Sequence, residues 1–211
     1  MSLVIAAFGL TRAFLCSEGR VMGPDGYGKV RIEGEDALKQ LQISESLAIA
    51  ATGAERFVVP ALRVARAIGE SFGSRCADLD GGMVDFLARL VKHIPGKLPD
   101  LPVVPLVIVI LSKNCLTGRV TCTFLVSGCE PLRFGPPPGR EVGTVILAPR
   151  VETSDLIKHR MDAVLPEIFK ETNNTNFRAK IEAAVKSAVI DAAKSDQQIN
   201  TSVRFAFIGE S

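Results

Sequence analysis

The chain has 211 residues, 47% of them hydrophobic, and 25 lysines and arginines against 23 aspartates and glutamates leave a net charge of +2. A single core of this length buries roughly 70% of the unfolded surface, so residues 1–211 read as one domain, and the balanced charge, without basic runs interleaved with aromatics, excludes nucleic acid as a partner. Five cysteines, an odd number without CxxC spacing, and only two histidines, His93 and His159, exclude a disulfide framework and multi-histidine metal sites.

The first quarter is strand-like. LVIAAFG at 3–9 and RAFLCS at 12–17 come first, then a glycine-rich turn, MGPDGYGK, then VRIEG at 30–34, LKQLQIS at 38–44 and LAIAATG at 47–53. The opening run stops at Gly9 and its first positive residue is Arg12, so it reads as a strand rather than a signal peptide. The period then changes. Phe57, Ala61, Val64, Ala65, Ile68 and Phe72 recur at helical spacing, with Pro60 pointing to a kink or a late start. A second helix after Asp80 carries Met83, Phe86, Leu87, Leu90, Val91 and Ile94 on one face and ends at Pro95-Gly96.

LPVVPLVIVIL at 101–111 is too short to span a bilayer and contains Pro102 and Pro105, so it is a buried strand; no membrane association is expected. Further strands follow at 118–127 and 142–148, separated by CEPLRFGPPPGRE, which reads as an exposed loop. Two helices come next, about 154–171 with a kink at Pro166 and about 177–194 burying Phe177, Ile181, Ala184, Val185 and Ala188. The last strand, SVRFAFI, puts Val203, Phe205 and Phe207 on one face. Helices that arrive in pairs suit antiparallel sheets covered on each outer face, which gives an α+β fold: a four-layer α-β-β-α sandwich with two mainly antiparallel sheets, Val4 and Ala6 alternating against the core. The cysteines read as buried thiols in a reducing, cytoplasmic compartment, and both histidines as surface or structural residues.

Several stretches carry a resemblance. LCSEGR at 15–20 resembles the end of the second strand in proteasome-type subunits of the N-terminal nucleophile hydrolases, where an acidic residue lies sixteen positions after the nucleophile; counted from Ser2, that residue is Glu18. KQLQIS at 39–44 resembles the family's lysine-bearing strand, and the glycine expected fourteen positions after Lys39 is Gly53. AAKSDQQINTSVRFAFI at 192–208 resembles its last helix and strand, with Asp196 at the place of a supporting aspartate.

The resemblance implies an amide or peptide hydrolase working on peptide or protein substrates without cofactor or metal, and homo-oligomeric, with a ring as one arrangement. An N-terminal serine needs a base for its hydroxyl proton, and its own α-amine, with an unperturbed pKa of about 7.7–8.0, serves at neutral pH. The site implied is Ser2 as nucleophile after loss of Met1, Lys39 to hold down the amine's pKa, Glu18 to orient the lysine, the Gly53 N–H as oxyanion donor and Asp196 in support. Each residue also has a structural reading: Glu18 and Lys39 as an ion pair, Gly53 as a strand terminator, Asp196 as a helix-end residue. The chain lacks the family's G-S-G run and has VETSDLIK there, so Ser154 either replaces that hydroxyl or caps a helix. The serine expected three residues after the aspartate is Ile199, with Thr201 and Ser202 nearby. A catalytically inactive assembly subunit and a small-molecule amidase on the same scaffold are the alternatives.

Overall fold

The structure, a computed structural model, describes residues 3–18, 21–24, 30–34, 39–72, 77–99, 105–114, 116–135 and 142–209. Among them the elements run β1 (Val4–Phe8), β2 (Ala13–Glu18), β3 (Val21–Pro24), β4 (Val30–Gly34), β5 (Gln40–Ser44), β6 (Leu47–Gly53), α1 (Glu55–Phe72), α2 (Ala77–Lys92), β7 (Leu106–Lys113), β8 (Val120–Val126), β9 (Leu132–Phe134), β10 (Gly143–Leu147), α3 (Val151–Ile168), α4 (Asn174–Ser195) and β11 (Val203–Ile208). One sheet has the order β10-β1-β2-β11 and the other β5-β6-β7-β8-β9, with every pairing antiparallel; β3 and β4 form a separate hairpin.

Alternation within each strand builds three apolar layers. Val4, Ala6, Ala13 and Leu15 face Ala48, Ala50, Val109 and Leu111 in the gap between the sheets. The intervening residues Ile5, Ala7, Phe14 and Cys16 pack outward against Phe177, Ile181, Val185 and Ala188 of α4 and Ile157, Met161 and Leu165 of α3. On the far side Leu47, Ile49, Ile108 and Ile110 meet Val58, Ala61, Leu62, Met83 and Leu87 of α1 and α2. Both faces of β1 and β2 are therefore buried, which is why VIAAF and AFLC read as continuous apolar runs. The alanines in the gap let the sheets approach, and burying a large apolar side chain there is worth about 1.5–3 kcal/mol. The four-layer sandwich and the alternation at Val4 and Ala6 thus stand.

Several boundaries differ from the sequence reading. α1 runs through Pro60 from Glu55, because one lost backbone bond near the helix start is outweighed by the buried face of Ala61, Leu62 and Ala65. Within the glycine-rich MGPDGYGK turn, residues 22–24 belong to β3. The loop at 129–141 contains β9, a short exposed edge strand that gains from a T-shaped contact of Phe134 with Phe124. α3 begins three residues early, at Val151. Cys16 and Cys122 are buried, but Cys129 is exposed because it sits in the turn between β8 and β9; Cys76 and Cys115 lie outside the described residues. His93 and His159 are exposed.

Candidate functional site

Glu18 closes β2 and is 1% exposed. Its Oε1 accepts the N–H of Leu3 at 3.3 Å and its Oε2 the N–H of Asn200 at 3.1 Å, while its own N–H donates to the Leu3 carbonyl. One carboxylate thereby ties the start of β1 to the turn that leads into β11, whose first residue, Val203, is the register partner of Glu18.

Lys39 precedes β5 and is 7% exposed; its carbonyl accepts the Ala51 N–H at 2.8 Å. Burial drives its pKa down from 10.5 to about 8, against the opposing pull of the Glu18 and Glu55 carboxylates, which favour the charged form. The lysine therefore lies within the fields of two carboxylates from different layers: Glu18 on the inner strand β2 and Glu55 in the first turn of α1.

Gly53 ends β6, with φ +134°, and a Cβ there would lie 2.3 Å from the Pro105 carbonyl oxygen. No other residue fits that close approach. Ala51 directs its N–H toward β5, so Gly53, two residues on, directs its own the same way, beyond the level of Lys39. An N–H placed there has the orientation that donation to a developing oxyanion requires.

Asp196 caps the C-terminus of α4 and is 1% exposed. A carboxylate at this end opposes the helix dipole, and hydrogen bonds offset the conflict: the Thr153 hydroxyl donates to Oδ2 at 2.7 Å and the Gln198 N–H to Oδ1 at 3.0 Å. The turn continues with Ile199 N–H donating to the Asp196 carbonyl, and then places the Asn200 N–H on Glu18. Asp196 and Glu18 are thus joined through one short turn.

The structure brings together Glu18 and Lys39, sets Gly53 one strand away on the same side, and links Asp196 to Glu18; Ser2 lies outside the described residues. The hydroxyl that meets the aspartate belongs to Thr153, which sequence reasoning passed over. Ser154 donates instead to the Ile146 carbonyl at 3.1 Å, and it does not cap α3, whose N-cap is Arg150. Thr201 and Ser202 are exposed, whereas Asp196 is buried. Helical phase was the missed signal: the first-turn residue with a buried side chain is Thr153, the third residue of α3, and Ser154 is partly turned out. Among the described residues no cluster of three or more His, Cys, Asp or Glu is placed to hold a metal ion, and no helix is long and apolar enough to cross a membrane.

No family model matches the chain, and no curated protein does. Among solved structures, eukaryotic HslV from Trypanosoma brucei matches over 98% of this chain and 99% of that one, with a TM-score of 0.57 and 12% sequence identity. The fold is that of proteasome-type N-terminal nucleophile hydrolases. At this identity the likeness is one of backbone architecture, over nearly the full length of both chains.

Proposed function

We propose that the chain is an amide or peptide hydrolase in which Ser2, freed of Met1, is the nucleophile. The observation that supports this best is Lys39, a buried lysine with its pKa lowered to about 8, brought beside Glu18 from a separate segment. A lysine that serves stability alone gains nothing from burial of its charge; one that sets the charge around a reacting amine does.

In this reading the α-amine of Ser2 takes the hydroxyl proton as the oxygen attacks a substrate carbonyl carbon, and the carbonyl π pair moves onto its oxygen. The Gly53 N–H donates to that oxyanion. Collapse expels the amine of the scissile amide, which leaves with the proton held by the α-amine. Water then attacks the ester, gives its proton to the same amine, and restores Ser2. Glu18 fixes the start of β1 and biases Lys39 toward its charged form, while Asp196 and Thr153 hold the turn that carries Asn200 to Glu18. We assign the protein a peptide or protein substrate, homo-oligomeric assembly and a cytoplasmic location on the same reading.

The test is an N-terminal mass measurement on protein from its native source, with peptidase assays of wild type and Ser2→Ala. Loss of Met1 and abolition of hydrolysis by Ser2→Ala are expected. Mature protein that keeps Met1, with wild type and variant equally inert on varied peptides, overturns the catalytic assignment and leaves an assembly subunit.

A further inference from the structure

Among the described residues, the outer edge of β11 is paired over half its length and unpaired over the rest. The Phe207 carbonyl accepts Gln42 Nε2 at 2.6 Å, and the Phe207 N–H donates to Gln42 Oε1 at 3.3 Å, so a side-chain amide from β5 occupies this edge as a neighbouring peptide group does. Gly209 N–H donates to the Glu45 carbonyl one step further on. Because Phe207 turns its backbone groups away from β2, two-residue alternation turns those of Phe205 and Val203 the same way. The ladder on the other side of β2 agrees, since Glu18, the partner of Val203, gives its N–H to β1. No partner for the Phe205 and Val203 groups occurs among the described residues.

The pairs Gln42 with Phe207 and Glu45 with Gly209 run in the same direction, which sets Gln40 level with Phe205. Gln40 is 6% exposed, and its Oε1 has no hydrogen-bond partner. The seam is therefore zipped at Gln42 and unzipped at Gln40, where an amide oxygen is left unsatisfied at a cost of about 1–3 kcal/mol. Beside the zipped end lies a cleft of ≈ 590 Å³ lined by Gln42, Glu45, Asn174, Arg178, Glu182 and Phe207. At the unzipped end the edge stops at Val203, level with Glu18.

We propose that this edge is a docking groove for an extended polypeptide, which adds to β11 as a further strand between the cleft and Glu18. Polypeptide main chain is the occupant that supplies both N–H and C=O at strand spacing, as the Gln42 amide does once. Arg178 over the Phe207 ring and Lys186 over the Phe205 ring flank the groove, with Lys186 also paired to Glu182 at 3.1 Å, so carboxylate side chains on the incoming strand meet Arg178 and compete with Glu182 for Lys186. Calling that strand a substrate rests on the hydrolase reading above; its docking does not.

The experiment uses the full chain and a fluorescein-labelled, end-blocked hexapeptide of alternating valine and glutamate, followed by anisotropy. Two further peptides carry N-methyl groups on the odd or on the even amides. Methylation of one parity weakens binding about tenfold or more and the other is tolerated. Val203→Pro removes one outward N–H at the first residue of an edge strand, a position where proline is accepted, and produces the same loss with the melting temperature unchanged. If that variant fails to fold, the methylated pair still decides. Equal effects of both parities overturn the groove, and so does a wild-type dimer that Val203→Pro dissociates, which gives the edge to a second copy. Parity-dependent binding by a wild type that cleaves no peptide sustains the groove while the hydrolase reading falls. Cleavage whose KM is unaltered by Val203→Pro, with peptide binding by anisotropy also unaltered, overturns the groove and leaves the hydrolase.

Discussion

Glu18 and Asp196 are both about 99% buried, and they are held in opposite ways. Glu18 receives backbone N–H groups on both oxygens, and such donors cannot reverse. Asp196 receives one N–H and one hydroxyl, and the Thr153 hydroxyl can turn and accept instead. Glu18 also lies within the field of Lys39, whereas the side-chain partner of Asp196 is neutral. Glu18 is thus clasped by two fixed donors beside a cation, and Asp196 by one fixed donor and one rotatable hydroxyl. The first suits an electrostatic part in a reaction, and the second suits the holding of a turn.

The sharpest break of this comparison is Lys39→Met. On the hydrolase reading, peptidase activity falls by about 10²-fold or more, and stability falls as well because the buried Glu18 carboxylate loses its cation. Glu18 is still held by its two backbone N–H donors, so the variant folds. A fall in melting temperature with activity retained makes the Lys39–Glu18 end as purely structural as the Asp196 end.

The pH dependence of stability comes next. The folded-state pKa of Lys39 is about 8 against 10.5 for the ordinary group, so between these values the unfolded chain binds more protons. Stability therefore rises with pH across that window, and below about pH 8 the penalty for the buried charge is fully present. Relative to Lys39→Met, the wild type gains on the order of 3 kcal/mol from below pH 8 to above pH 10.5, measured as unfolding free energy in denaturant at each pH. A difference that stays flat contradicts the depressed pKa.

Glu18→Gln sets an amide NH₂ against a backbone N–H and costs about 2–3 kcal/mol. Asp196→Asn is milder, below about 1 kcal/mol, because Thr153 can accept from the new amide. Thr153→Val removes that adaptable partner, and combined with Asp196→Asn it costs more than the two single changes summed, a non-additivity that a double-mutant cycle reads directly. Equal costs for Glu18→Gln and Asp196→Asn erase the distinction between the two carboxylates.

Much of this was written along the chain. Period-two and period-3.6 patterns named the strands and paired helices, since alternate burial leaves its mark on residue type wherever a face is covered. Glu18, Lys39 and Gly53 were singled out by the resemblance of the stretches around them to a family's strands, and the structure brings the first two within each other's field. The short elements were not: Val21–Pro24 and Leu132–Phe134 hold too few residues to show a period, and each depends on a partner strand.

By itself, then, the sequence determined the layers and the antiparallel order, because local alternation and the order of elements encode which faces are buried. Tertiary structure alone decided which hydroxyl reaches Asp196, since one residue along α3 rotates a side chain by about 100°, sending Thr153 inward and Ser154 to the Ile146 carbonyl. It also decided that Glu18 would clasp two backbone N–H groups 15 and 182 residues away in sequence, and that the Gln42 amide would close the β11 edge at Phe207. Such contacts join segments brought together only by sheet stacking and register, quantities set by the summed packing of all four layers rather than by any stretch of residues near them.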